Sequence, residues 1–140
     1  MDITMMGPAC LMAAGILEAA APKAHKPTML LIVANCLRAV AKYGPRYYQN
    51  MEKDHPYRIE AAGWVILICE ALKTPAFDLD GAAFSLAECL AVVTKVNSQG
   101  QNTQLLFPMQ ADVMRFFEDS GHWEPGDGTL VSDMYHNIPA

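Results

Sequence analysis

Catalytic signatures are what this chain lacks. It contains no Cys-x-x-Cys pair, no His-Glu-x-x-His, no EF-hand loop, no Gly-x-Ser-x-Gly, no P-loop and no Rossmann glycine pattern. Zinc ribbons, thioredoxin-like redox chemistry and the common phosphate cradles therefore find no support. Charge is scarce too, at 18% of residues against roughly 25% in an average soluble domain. No uninterrupted apolar run reaches the roughly 18 residues that span a bilayer. The four cysteines, Cys10, Cys36, Cys69 and Cys89, are far apart and each lies in a different apolar block. Such thiols behave as small hydrophobes and suit a reducing compartment.

What the chain has in quantity is apolar sequence, 52% of its 140 residues, cut at regular intervals by proline. That length is most simply one domain, residues 1–140, with a core that needs neither disulfide nor metal. Pro8, Pro27, Pro56 and Pro108 open helix-length blocks, and Pro22, Pro45 and Pro75 follow their ends. Proline fits a first helical turn and disfavours helix in the residue before it. The pattern predicts helices over about 8–20, 27–43, 56–73, 81–97 and 108–119, with a short one near 46–51. Asn35, Arg38 and Lys42 form one polar stripe on the second block. The centre of the 56–73 block, residues 61–69, is apolar on every side and predicts a central helix. Asp80 is placed as the N-cap of the next helix. The fold class expected is all-α, a compact bundle of five to six helices. A minimal β-hairpin near the C-terminus, pairing 105–107 with 129–131, is the one expected addition.

Residues 3–17, followed by Ala19-Ala20-Ala21, have the outline of a signal peptide. Asp2 in place of a basic n-region and Pro8 inside the apolar run argue against one. The segment is expected to be a buried helix, and the protein cytoplasmic with no membrane contact.

Charge is unevenly spread. Residues 1–73 carry +2 and residues 74–140 carry −7. Basic and aromatic side chains interleave over 38–58, where Arg46, Tyr47, Tyr48, His55, Tyr57 and Arg58 form one candidate contact patch. Arg and Tyr dominate protein–protein hot spots. Asp112, Glu118, Asp119 and Glu124 form a second, acidic patch. Their opposite signs also suit pairing across a homodimer. Nucleic acid is the alternative ligand of a basic and aromatic surface, disfavoured by the overall charge of −5. His122, Glu124, Asp127, Asp133 and His136 lie close in sequence but match no metal-ligand spacing, and no metal or cofactor is expected. The reading is a small intracellular helical protein that acts by stoichiometric binding to another protein. An inhibitor, immunity-type or adaptor factor, of the kind phage and mobile elements encode, fits that description. The alternatives are a nucleic-acid-associated regulator using residues 38–58 and an enzyme whose site is assembled only by tertiary structure.

Overall fold

The structure is a computed structural model that describes residues 3–75, 78–96, 102–107 and 128–130, with side chains placed up to Leu90 apart from Tyr47. Four α-helices occupy the first part: α1 (Met6–Ala20), α2 (Pro27–Gln49), α3 (Pro56–Leu72) and α4 (Leu79–Glu88). Single 3-10 turns over Ile3–Met5 and Ala21–Lys23 flank α1. This body is all-α, as its apolar blocks require. The helix expected over 108–119 lies outside the described residues, so the count among them is four.

Proline marks three of the starts. Pro27 and Pro56 each take the first position of a helix, and Pro8 sits in the first turn of α1. Pro45 corrects the reading. It lies inside α2, which runs on to Gln49 and absorbs the short helix expected near 46–51. A proline there removes the hydrogen bond to the carbonyl of Ala41, four residues back, at a cost of about 3 kcal/mol. Tertiary packing offsets that cost. The N-terminal turn of α1 lies on this point, where a β-carbon added to Gly7 would sit 3.6 Å from the Ala41 carbonyl oxygen. Gly44 makes a still closer approach: its β-carbon would fall 2.8 Å from Met6 Sδ and 3.3 Å from Val40 Cγ1.

The α1–α2 pair is the most extensive contact in the body. The inner face of α1 is built mainly from small residues, Ala9, Cys10, Ala13 and Ala14, with Met6 and Leu17. Small side chains let the two axes come close. From α2, Met29, Leu30, Val33, Ala34, Leu37, Val40 and Tyr48 fill the core. α2 is the central helix, touching α1, α3, α4 and the sheet. α3 was expected in that place. It buries Ala61, Trp64, Val65 and Ile68 but leaves Ile59, Gly63 and Ile66 at the surface. An all-apolar helix need not be buried all round when its neighbours cover one side only.

Asp80 also departs from expectation. It is the second residue of α4, not its cap. Its carboxylate oxygens accept from the backbone N–H groups of His25 and Lys26, each at 3.2 Å. Lys26 is the N-cap residue of α2. Asp80 thus places a negative charge at the positive end of the central helix, where the first N–H groups have no helical partner.

The helix expected over 81–97 ends at Glu88. Its second half is strand β1 (Ala91–Val96), in keeping with the β-branched run Val92-Val93-Thr94 and Val96. β2 (Asn102–Phe107) pairs antiparallel with β1, from Ala91 opposite Phe107 to Val96 opposite Asn102. β3 (Gly128–Leu130) pairs antiparallel with the other edge of β1. The sheet order is β2-β1-β3. Both segments expected to form a hairpin are extended, but β1 lies between them and they do not pair with each other.

Candidate functional site

The basic and aromatic residues of 38–58 fall at the corner where α2 ends and α3 begins. Arg46 is exposed in the last turn of α2, where a cation suits the negative helix end. Three turns of polar surface lead to it, Asn35, Arg38 and Lys42, all exposed as their spacing implied. Arg38 is ion-paired with Glu18 of α1, which raises the guanidinium pKa still further. Tyr43 is exposed, and Lys42 Nζ lies 5.2 Å from the centre of its ring.

The turn beyond is fixed by side chains. Arg58 Nη1 donates to the Met51 carbonyl at 2.8 Å. His55 caps α3, its Nδ1 accepting from the Tyr57 backbone N–H at 3.2 Å. The His55 and Tyr57 rings meet edge to face, 4.7 Å between centroids. His55, Tyr57 and Arg58 are half-buried, so they present one edge each. Tyr48 is a correction. It is fully buried in the core, because its position on α2 follows Leu37 and Val40 on the inner face. It contributes stability and no outer surface. Tyr47 lies on α2 with its side chain outside the described set. Asp112, Glu118, Asp119 and Glu124 all lie outside the described residues, so the acidic patch has no place in the geometry here.

A second surface was missed by sequence reasoning. α1 was expected to be buried, yet only one of its faces is. Met5 and Leu11 are each 48% exposed, Met12 62% and Ile16 37%. Pro8, Gly15 and Ala19 are exposed between them. Together these residues make an apolar stripe that runs the length of the helix without a charge. The continuous stretch Ile3–Lys23 is long and apolar enough to cross a membrane by length and composition, with an 18-residue window of mean hydropathy 1.5 of which 39% is buried. The signal was present in the sequence. Ala9, Ala13 and Ala14 fall on the inner face beside Met6, Cys10 and Leu17, while Leu11, Met12 and Ile16 fall on the outer face with Gly15 and Ala19.

Between α1 and α4 an open cleft of about 610 Å³ continues the stripe, lined by Ile16, Ala19, Ala20, Ala24 and Leu79 with Lys23 and Asp80 at its rim. Among the described residues no group of three or more His, Cys, Asp or Glu side chains is placed to hold a metal. Three of the thiols are held protonated by their surroundings. Burial, and next to it Cys69, pushes Cys10 up to about 12, and burial pushes Cys36 up to about 11. Cys89 is raised by burial and then by Glu88.

No family model matches this chain, and no solved structure matches it. A stretch of 73 residues, 51% of the chain, is 34% identical to the cytochrome P450 monooxygenase apdB of Emericella nidulans. The chain spans 14% of the length of that protein, and the likeness is to that segment alone.

Proposed function

We propose that the protein is a helical binding module that docks another protein through the α2–α3 corner. The supporting observation is the construction of that corner. Tyr43 and Arg46 stand exposed on the second half of α2, and His55 and Tyr57 lie at the start of α3 beside a turn held by the Arg58–Met51 and His55–Tyr57 hydrogen bonds. A preorganised aromatic and cationic edge loses little entropy on binding. The monooxygenase chemistry named for the similar protein is not part of this reading. The chain spans only 14% of the length of that protein.

The test is affinity capture from the source cell with the whole chain and with a Tyr43→Ala, Arg46→Ala, Tyr57→Ala variant. One partner retained in near-equal amount by the parent and lost from the variant is the expected outcome, with the thermal midpoint shifted by less than about 4 °C, the effect of roughly 1 kcal/mol. The same proteins recovered by both would contradict it.

A further inference from the structure

The outer face of α1 calls for an occupant, and the charges around it say which. Residues 3–50, which make up α1, α2 and their connection, carry five basic side chains (Lys23, Lys26, Arg38, Lys42 and Arg46) against one acidic, Glu18. This part of the molecule is +4 while the whole chain is −5. Lys23 stands at the C-terminal end of the apolar stripe and shares with Asp80 the rim of the cleft that extends it. The exposed stripe of α2, with Arg38, Lys42 and Arg46, runs beside it, tied to α1 by the Arg38–Glu18 pair. An apolar helix face bordered by cations is the arrangement that lies in the interface of an anionic bilayer.

We propose that the outer face of α1 is a membrane-docking surface, with Met5, Leu11, Met12 and Ile16 entering the interface of a bilayer and the flanking cations meeting anionic headgroups. The helix lies in the plane of the membrane and does not cross it, because its other face holds the bundle together. A second copy of the chain is a poorer occupant. A stripe one helix wide and about 22 Å long presents on the order of 300 Å², short of the roughly 800 Å² per partner of a stable dimer. A bilayer sets no such minimum, and charge attraction adds to a small apolar area. This reading replaces the expectation of a protein without membrane contact, and it is independent of the α2–α3 corner.

The experiment is vesicle flotation with the full chain. Vesicles of phosphatidylcholine alone are compared with vesicles holding about 30% phosphatidylserine, at about 1 mM lipid. The parent is expected to float with the anionic vesicles at least about ten-fold better than with the neutral ones. Met12→Glu should lose at least about ten-fold of that binding, and so should the double variant Lys23→Glu, Lys42→Glu, with circular dichroism unchanged in both. Met12→Gln serves as the milder variant if Met12→Glu does not fold. A parent that stays off anionic vesicles overturns the proposal, and if it also sediments as a dimer the face belongs to a second copy. Equal flotation of the parent and Met12→Glu overturns it as well.

Discussion

α1 and α2 are neighbouring helices, both rich in apolar residues, and they distribute them differently. α2 gathers its large side chains, Met29, Leu30, Leu37, Val40 and Tyr48, on the inside and sets Asn35, Arg38 and Lys42 outside. α1 turns Ala9, Ala13 and Ala14 inward beside Met6 and Leu17, and leaves Leu11, Met12 and Ile16 in solvent. The inner face of α1 is shaped for close approach, and Gly7 and Gly44 complete it. What remains on its outer face is larger than packing needs. The contrast teaches that apolar content does not locate a helix; the distribution of side-chain volume around it does.

The largest expected effect separates inside from outside. Trp64 is fully buried on α3 and, among the described residues, its indole Nε1 has no hydrogen-bond partner. Trp64→Ala should cost about 3–5 kcal/mol in chemical denaturation. Tyr48→Ala belongs to the same class, which is why Arg46, Tyr47 and Tyr48 replaced together report on the core as well as on a surface. Met12→Gln, on the open face of α1, should change stability by less than about 0.5 kcal/mol. A loss comparable to that of Trp64→Ala would mean that the stripe is covered.

The thiols give a pH dependence whose sign follows from burial. Cys10 and Cys36 stay protonated in the fold up to about 12 and about 11, against 9.0 for an ordinary thiol. Above that ordinary value the unfolded chain releases protons that the fold retains. Stability is therefore intact below it and declines as pH rises toward the folded values. Between pH 8 and pH 10 the free energy of unfolding should fall by about 1 kcal/mol for each of the two thiols. Cys10→Ala should flatten that slope in a denaturant titration series, and an unaltered slope would remove Cys10 from the account.

A smaller effect comes from one substitution made on two faces. At Gly44 a methyl group meets Met6 Sδ at 2.8 Å and Val40 Cγ1 at 3.3 Å, and both side chains are fully buried. Overpacking of roughly 1–3 kcal/mol exceeds the helix propensity gained, about 1 kcal/mol. Gly44→Ala should therefore destabilise by about 1 kcal/mol. Gly15, on the outer face of α1, has no atom within 4 Å of the added carbon. Gly15→Ala should stabilise by roughly 0.5–1 kcal/mol. Thermal midpoints moving in the same direction would erase the distinction between the faces.

Much of the helical body is legible in the sequence. Pro27 and Pro56 mark helix starts because the missing N–H of proline is harmless there, and the polar stripe of α2 follows from its spacing. Pro45 misleads for a tertiary reason: the close seat of α1 at Gly7 and Gly44 lets α2 continue through it. β1 is hidden because a short β-branched run after a helix looks the same as more helix until a partner strand is known. Asp80 reads locally as a cap, while its carboxylate serves a backbone more than fifty residues away in the chain. Of the candidate contact residues, His55, Tyr57 and Arg58 are tied into the turn at the start of α3, and Arg46 is exposed in the last turn of α2. Tyr48 is buried instead, since alternate faces of a helix cannot be told apart by residue type alone.

Methionine oxidation tests the central claim most directly, because α1 places one methionine on each face. The lipid-free protein would be exposed to dilute hydrogen peroxide, and sulfoxide formation followed at each methionine by mass spectrometry. Met12 and Met5, open on the outer face, should oxidise at least about ten-fold faster than Met6 and Met29, which the core shields completely. Met12 protected to the same degree as Met29 would contradict the two-faced α1.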